Sequence, residues 1–151
     1  MARRDGASLV ARLGAVASVR AMERAELETI IRERCDDREN IVAVYLYGSR
    51  ARGTAGPRSD VDVAVLYRTV PGPGLAALSL CLESDLESDL GAPVQLLSLN
   101  TAPADLVHRV LRDGVLVLER DASARVAFEV RARNEYFDLE PYYREYRRGP
   151  A

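Results

Sequence analysis

Two acids one residue apart, Asp60 and Asp62, follow a loop that opens with Gly48-Ser49 and carries Arg50, Arg52 and Arg58. A strand repeats every two residues, so both carboxylates point to one side, with Cα atoms roughly 6.6 Å apart. Val61, Val63 and Val65 take the other side. Same-face carboxylates at the start of a strand repel each other unless a cation neutralises them. A hard divalent ion such as Mg2+, which takes oxygen ligands, meets that demand. The bland alternative has Asp60 closing a turn and Asp62 solvated at a sheet edge, and for the D-x-D pair alone the two stand about even. The loop shifts the balance. Gly48 and Ser49, directly after an apolar run, could expose consecutive backbone N–H groups to a phosphate. The three arginines are near enough in sequence to neutralise a polyphosphate.

The flanking text shows what must position these groups. Ile41 to Tyr47 and residues 61 to 67 are seven-residue runs of mostly β-branched and aromatic residues, which read as central strands. The connection between them is too short for a helical crossover, so an antiparallel pair or a mixed sheet is expected. A helix from about Arg20 is marked by Met22, Leu27, Ile30, Ile31 and Cys35 at helical spacing. A second, from about Leu75 to Leu90, has Leu78, Leu82, Leu86 and Leu90 as its core stripe. Residues 94–99 form a third strand, a helix runs on to Arg112, and 115–118 form a short fourth strand. Asp121 or Ser123 caps a long last helix that Pro141 bends or ends. The alternation gives an α/β (α+β) fold, a mixed sheet of about four strands packed with helices. One domain over 20–146 is expected, with an N-terminal extension or weak helix at 1–19 and a tail at 147–151.

Composition narrows the function classes. The chain is 48% apolar and 29% charged with a net charge of −2, which excludes wholesale disorder and lacks the single-sign field of a dedicated nucleic-acid binder. Cys35 and Cys81 have no CxxC spacing and there is one histidine, so neither a zinc site nor a disulfide framework is expected, and both thiols are read as mostly buried. The first residues lack the apolar stretch of a signal peptide and no run approaches the ~20 residues of a membrane span, so a cytoplasmic chain with no membrane partner is expected. His108 reads as a surface or half-buried helix residue rather than a nucleotide contact. Arg125, Arg131 and Arg133, with Tyr136, Phe137, Tyr142, Tyr143 and Tyr146, are interrupted by acids, which favours a protein-partner face over direct nucleic-acid binding.

Gly48-Ser49 through Asp60 and Asp62, G-S-x(10)-D-x-D, resembles the signature of the nucleotidyltransferase superfamily typified by DNA polymerase β. The fuller G-S-R-A-R-G…S-D-V-D-V-A-V, with L-S-L-N-T-A-P, R-D-G-V-L-V-L-E-R-D and F-E-V-R-A-R-N-E-Y-F-D downstream, is similar to its minimal, MntA-type branch. The likeness runs from about residue 25 to 146. It implies the nucleotidyltransferase fold. It also implies that Gly48 and Ser49, with Arg50, Arg52, Arg58 and Ser59 around them, hold the triphosphate of ATP, and that Asp60 and Asp62 are catalytic and bind Mg2+. The implied partner is a HEPN-domain RNase toxin in a hetero-oligomer, and the implied reaction transfers AMP from ATP to a toxin tyrosine. The alternatives are an antitoxin of the same fold acting by binding alone, and a small-molecule nucleotidyltransferase.

One strand departs from that branch, with Gln95 and Ser98 standing where the branch has acids. Its usual V-D-L-V-D-L reads Val94-Gln95-Leu96-Leu97-Ser98-Leu99 here, so Gln95 stands at the third-acid position. A glutamine carbonyl ligates metal weakly and cannot serve as a base. Asp85 and Glu87 are the neighbouring acids that could substitute, and binding of nucleotide is expected more firmly than turnover.

Overall fold

A computed structural model describes residues 22–69 and 72–149. Along the chain run α1 (Arg24–Cys35), β1 (Ile41–Tyr47), α2 (Gly48–Arg52), β2 (Val61–Tyr67), α3 (Pro73–Leu90), β3 (Val94–Ser98), α4 (Ala104–Asp113), β4 (Val115–Glu119) and α5 (Ala122–Arg148). The expected extension at 1–19 lies outside the described residues.

The strands form one mixed sheet in the order β3-β2-β1-β4. β1 is antiparallel to β2 and β4, whereas β2 and β3 are parallel and joined through α3. β1 and β2 are the central strands, and their apolar residues are buried on both faces. One face is covered by Leu27, Ile31 and Cys35 of α1 and by Leu82, Leu86 and Leu90 of α3. Val107 and Val110 of α4, with Phe128 and Ala132 of α5, cover the other. Each fully buried leucine contributes roughly 2 kcal/mol through removal from water.

The structure corrects three of the sequence expectations. Leu78 is 54% exposed, because at that turn of α3 the inward position belongs to Ser79, whose hydroxyl pairs with Tyr67 Oη at 2.8 Å. Cys81 is exposed beside it, and only Cys35 is buried, with its thiol pushed up to about 11 by desolvation. Pro141 does not end α5, which continues to Arg148. Proline removes one N–H and crowds the carbonyl of residue 137, but Phe137 is itself exposed, so water can take that carbonyl. Among the described residues, no helix is long and apolar enough to cross a membrane.

Two hydrogen bonds fix the direction of α5 on the sheet. Arg120 N–H bonds Val42 O just before α5 begins, and Glu129 accepts from Tyr45 Oη at 2.8 Å. The helix therefore climbs along β1 from its start toward Tyr47. Its 27 residues span about 40 Å, against about 23 Å for a seven-residue strand, so its last turns pass the end of the sheet.

Candidate active site

Asp62 enters the sheet opposite Tyr47, the last residue of β1, and beside Gln95 of β3. Val61 N–H is fixed to Pro93 O at 2.9 Å, which anchors the start of β2 and leaves Asp60 just outside the strand. The alternation then turns Val61, Val63 and Val65 into the α1–α3 core and Asp62 to the opposite face.

Gly48 closes over that carboxylate. Its backbone lies at φ +70, and a Cβ built there would overlap Asp62 Oδ2. Only glycine suits both the left-handed conformation and the contact. Ser49 follows, its carbonyl accepting the N–H groups of Gly53 and Thr54 as α2 ends. Burial, and next the like charge of Asp60, hold the Asp62 carboxyl above its usual range, while Arg52 acts in the opposite direction.

The loop arginines separate into different environments. Arg50 is buried, at 9% exposure, and its Nη2 donates to Ser59 O at 3.0 Å, so it braces the loop from within rather than standing in solvent. Ser59 Oγ accepts the Gly56 N–H at 2.8 Å and holds the 56–59 turn. Arg52 and Arg58 are exposed. Arg52 is electrostatically coupled to Asp62 and also to Asp113 at the end of α4.

At the third-acid position, Gln95 Nε2 donates to Asp60 Oδ2 at 3.0 Å. The two acids expected to substitute are engaged elsewhere: Asp85 pairs with Arg38 at 3.0 Å, and Glu87 accepts Val94 N–H at 3.1 Å. Among the described residues, no group of three or more His, Cys, Asp or Glu side chains is arranged to hold a metal ion.

Sequence reasoning missed Tyr47 and Arg109. The Tyr47 phenol is raised by burial and then by Asp62, and lowered by Arg109, so all three sit together. The two-residue period of β1 and its antiparallel pairing could have placed Tyr47 beside Asp62, but no local signal points to Arg109. His108 is half-buried, stacked on Tyr136 with ring centroids 3.7 Å apart.

This arrangement of Gly48, Ser49, Asp60 and Asp62 lies inside a stretch with a clear match. Residues 29–123, well over half of the chain, match the family model described as polymerase beta, nucleotidyltransferase. The chain belongs to the polymerase beta nucleotidyltransferase family. No curated protein matches this nucleotidyltransferase in sequence. Solved structures do match it. A crystal structure of a toxin–antitoxin with AMP-PNP is 25% identical, covers 78% of this chain and 93% of its own, and has a TM-score of 0.68. A structure described as a minimal nucleotidyltransferase is 28% identical over 63% of this chain and 96% of its own, at a TM-score of 0.52. A tri-AMPylated Shewanella oneidensis HEPN toxin in complex with MNT antitoxin is 22% identical over 81% and 93%, at a TM-score of 0.64, a likeness of fold alone. The expected kinship with minimal nucleotidyltransferases thus agrees with these neighbours.

Proposed function

We propose that this nucleotidyltransferase is a cytoplasmic antitoxin that transfers AMP from ATP to a tyrosine of a HEPN-domain toxin. The observation that carries the reading is the closure of Gly48 onto Asp62 beside Asp60, at the head of two central strands. The neighbours with AMP-PNP and with an AMPylated HEPN toxin support the choice of nucleotide and partner.

The chain's residues fit Mg2+. Their donors are carboxylate oxygens, the hard ligands this ion takes, and a cation would oppose the burial and the Asp60 charge that raise the Asp62 carboxyl. Asp60 and Asp62 would hold the ion together with nucleotide oxygens, since two carboxylates alone make an incomplete site. When bound, Mg2+ neutralises phosphate charge. Ser49 and the backbone around Gly48 would take the phosphates, Arg52 and Arg58 would face them from solvent, and Arg50 and Ser59 would keep the loop in shape. A toxin phenol oxygen would form its bond to the α-phosphorus as the bond to pyrophosphate breaks. The phenol proton would leave to water or to a toxin group, because Gln95 cannot accept it.

The toxin would approach along the end of α5 that passes the sheet. The stripe that packs on the sheet through Phe128 and Ala132 continues through Leu139 and Tyr143 to Tyr146, which is 89% exposed. Tyrosine flanked by arginine suits an interface anchor.

A second reading, an antitoxin that acts by binding alone, is favoured by the Gln95–Asp60 bond. One experiment separates the two. The toxin is incubated with this chain, ATP and Mg2+, and its intact mass is measured. AMP-sized increments, lost in D60A/D62A, support transfer. No increment, with D60A/D62A protecting cells as well as wild type, leaves binding alone.

A further inference from the structure

We infer that Gln95 positions Asp60 and restricts the site to a single divalent cation. The inference rests on the reading of Asp60 and Asp62 as cation carboxylates and concerns what stands beside them.

Gln95 occupies the β3 position paired with Asp62 and is exposed on an edge strand of the sheet. Its Nε2 reaches across to Asp60 Oδ2 at 3.0 Å. Asp60 lies outside the β2 ladder, so this bond supplies an orientation that the sheet does not. A carboxamide N–H can only donate, and it therefore engages a lone pair of Oδ2. It directs the positive end of its dipole at one of two like charges and eases their repulsion without adding charge. The remaining carboxylate oxygens stay available to one ion.

A second ion would need another anionic oxygen at the edge of this pair. The position best placed to supply it holds a neutral group whose nitrogen faces Asp60. Three acids of α3, the helix that leads into β3, are committed elsewhere: Glu83 accepts Leu96 N–H at 3.0 Å, Glu87 accepts Val94 N–H, and Asp89 pairs with Arg34. Outer partners of metal-binding carboxylates commonly change metal affinity by about 10–100-fold when removed. Gln95 is therefore a positioning residue whose effect is read in cation binding.

The test titrates Mn2+ into the full chain saturated with AMP-PNP, reading bound Mn2+ by electron paramagnetic resonance after subtraction of the nucleotide alone. Thermal melts of each variant confirm folding. Wild type is expected to bind one Mn2+ per chain. Q95A is expected to keep that one ion with affinity lowered about ten-fold, and Q95E to bind two. Wild-type affinity in Q95A overturns the positioning role. Two ions on wild type, or one on Q95E, overturn the single-cation limit. No Mn2+ on wild type overturns the proposed function itself and this inference with it.

Discussion

Asp62 sits in a place that disfavours its charged form, half-buried under Gly48 and near the like charge of Asp60. The consequence for stability has a definite sign. An acid raised in the folded state is favoured when protonated, so its charge costs nothing below its unfolded value of about 3.8 and costs most above the raised folded value. D62N should therefore raise the Tm of the free protein at about pH 7 by about 2 °C and give no gain at about pH 3. Melts at the two pH values check this, and an equal shift at both would exclude the electrostatic cause. The pair itself was legible in the sequence, because strand period alone puts Asp60 and Asp62 on one side. The inward turn of Arg50 and the reach of Gln95 to Asp60 were not. Both depend on which strand lies next to which, and that is set by tertiary packing.

At the level of elements, the core strands were legible because buried central strands admit little besides β-branched and aromatic side chains. Helix interiors were less so. A leucine repeat every four residues drifts around a helix of 3.6 residues per turn, and in α3 the inward line runs Ser79, Leu82, Leu86, Leu90 rather than through Leu78. Leu86→Ala, at a position with 0% exposure, should cost about 2–5 kcal/mol. Leu78→Ala should stay within about 0.5 kcal/mol. Urea unfolding of both variants measures the difference, and equal losses would restore the simpler stripe. At Pro141, where a bend or an end was expected, the helix does not end, because proline forbids only one hydrogen bond and the ladder resumes beyond it.

For the whole molecule, the sheet supports only the first part of α5. The rest projects past the edge where Tyr47, Gly48 and Asp62 meet, held by its own hydrogen-bond ladder and by side-chain contacts such as the stacking of Tyr136 with Tyr143. A short helical stretch of this kind is marginal by itself in water. Arg144, Arg147 and Arg148 are all exposed on it. Free chain treated briefly with trypsin should be trimmed at these arginines before any cut within the sheet, and the toxin complex should resist that trimming. Mass mapping of early fragments decides the matter; trimming at equal rates would move the contact surface elsewhere. If protection is found, the half-life of this last segment becomes a gauge of occupancy, reporting in a mixed solution what fraction of the chain is bound.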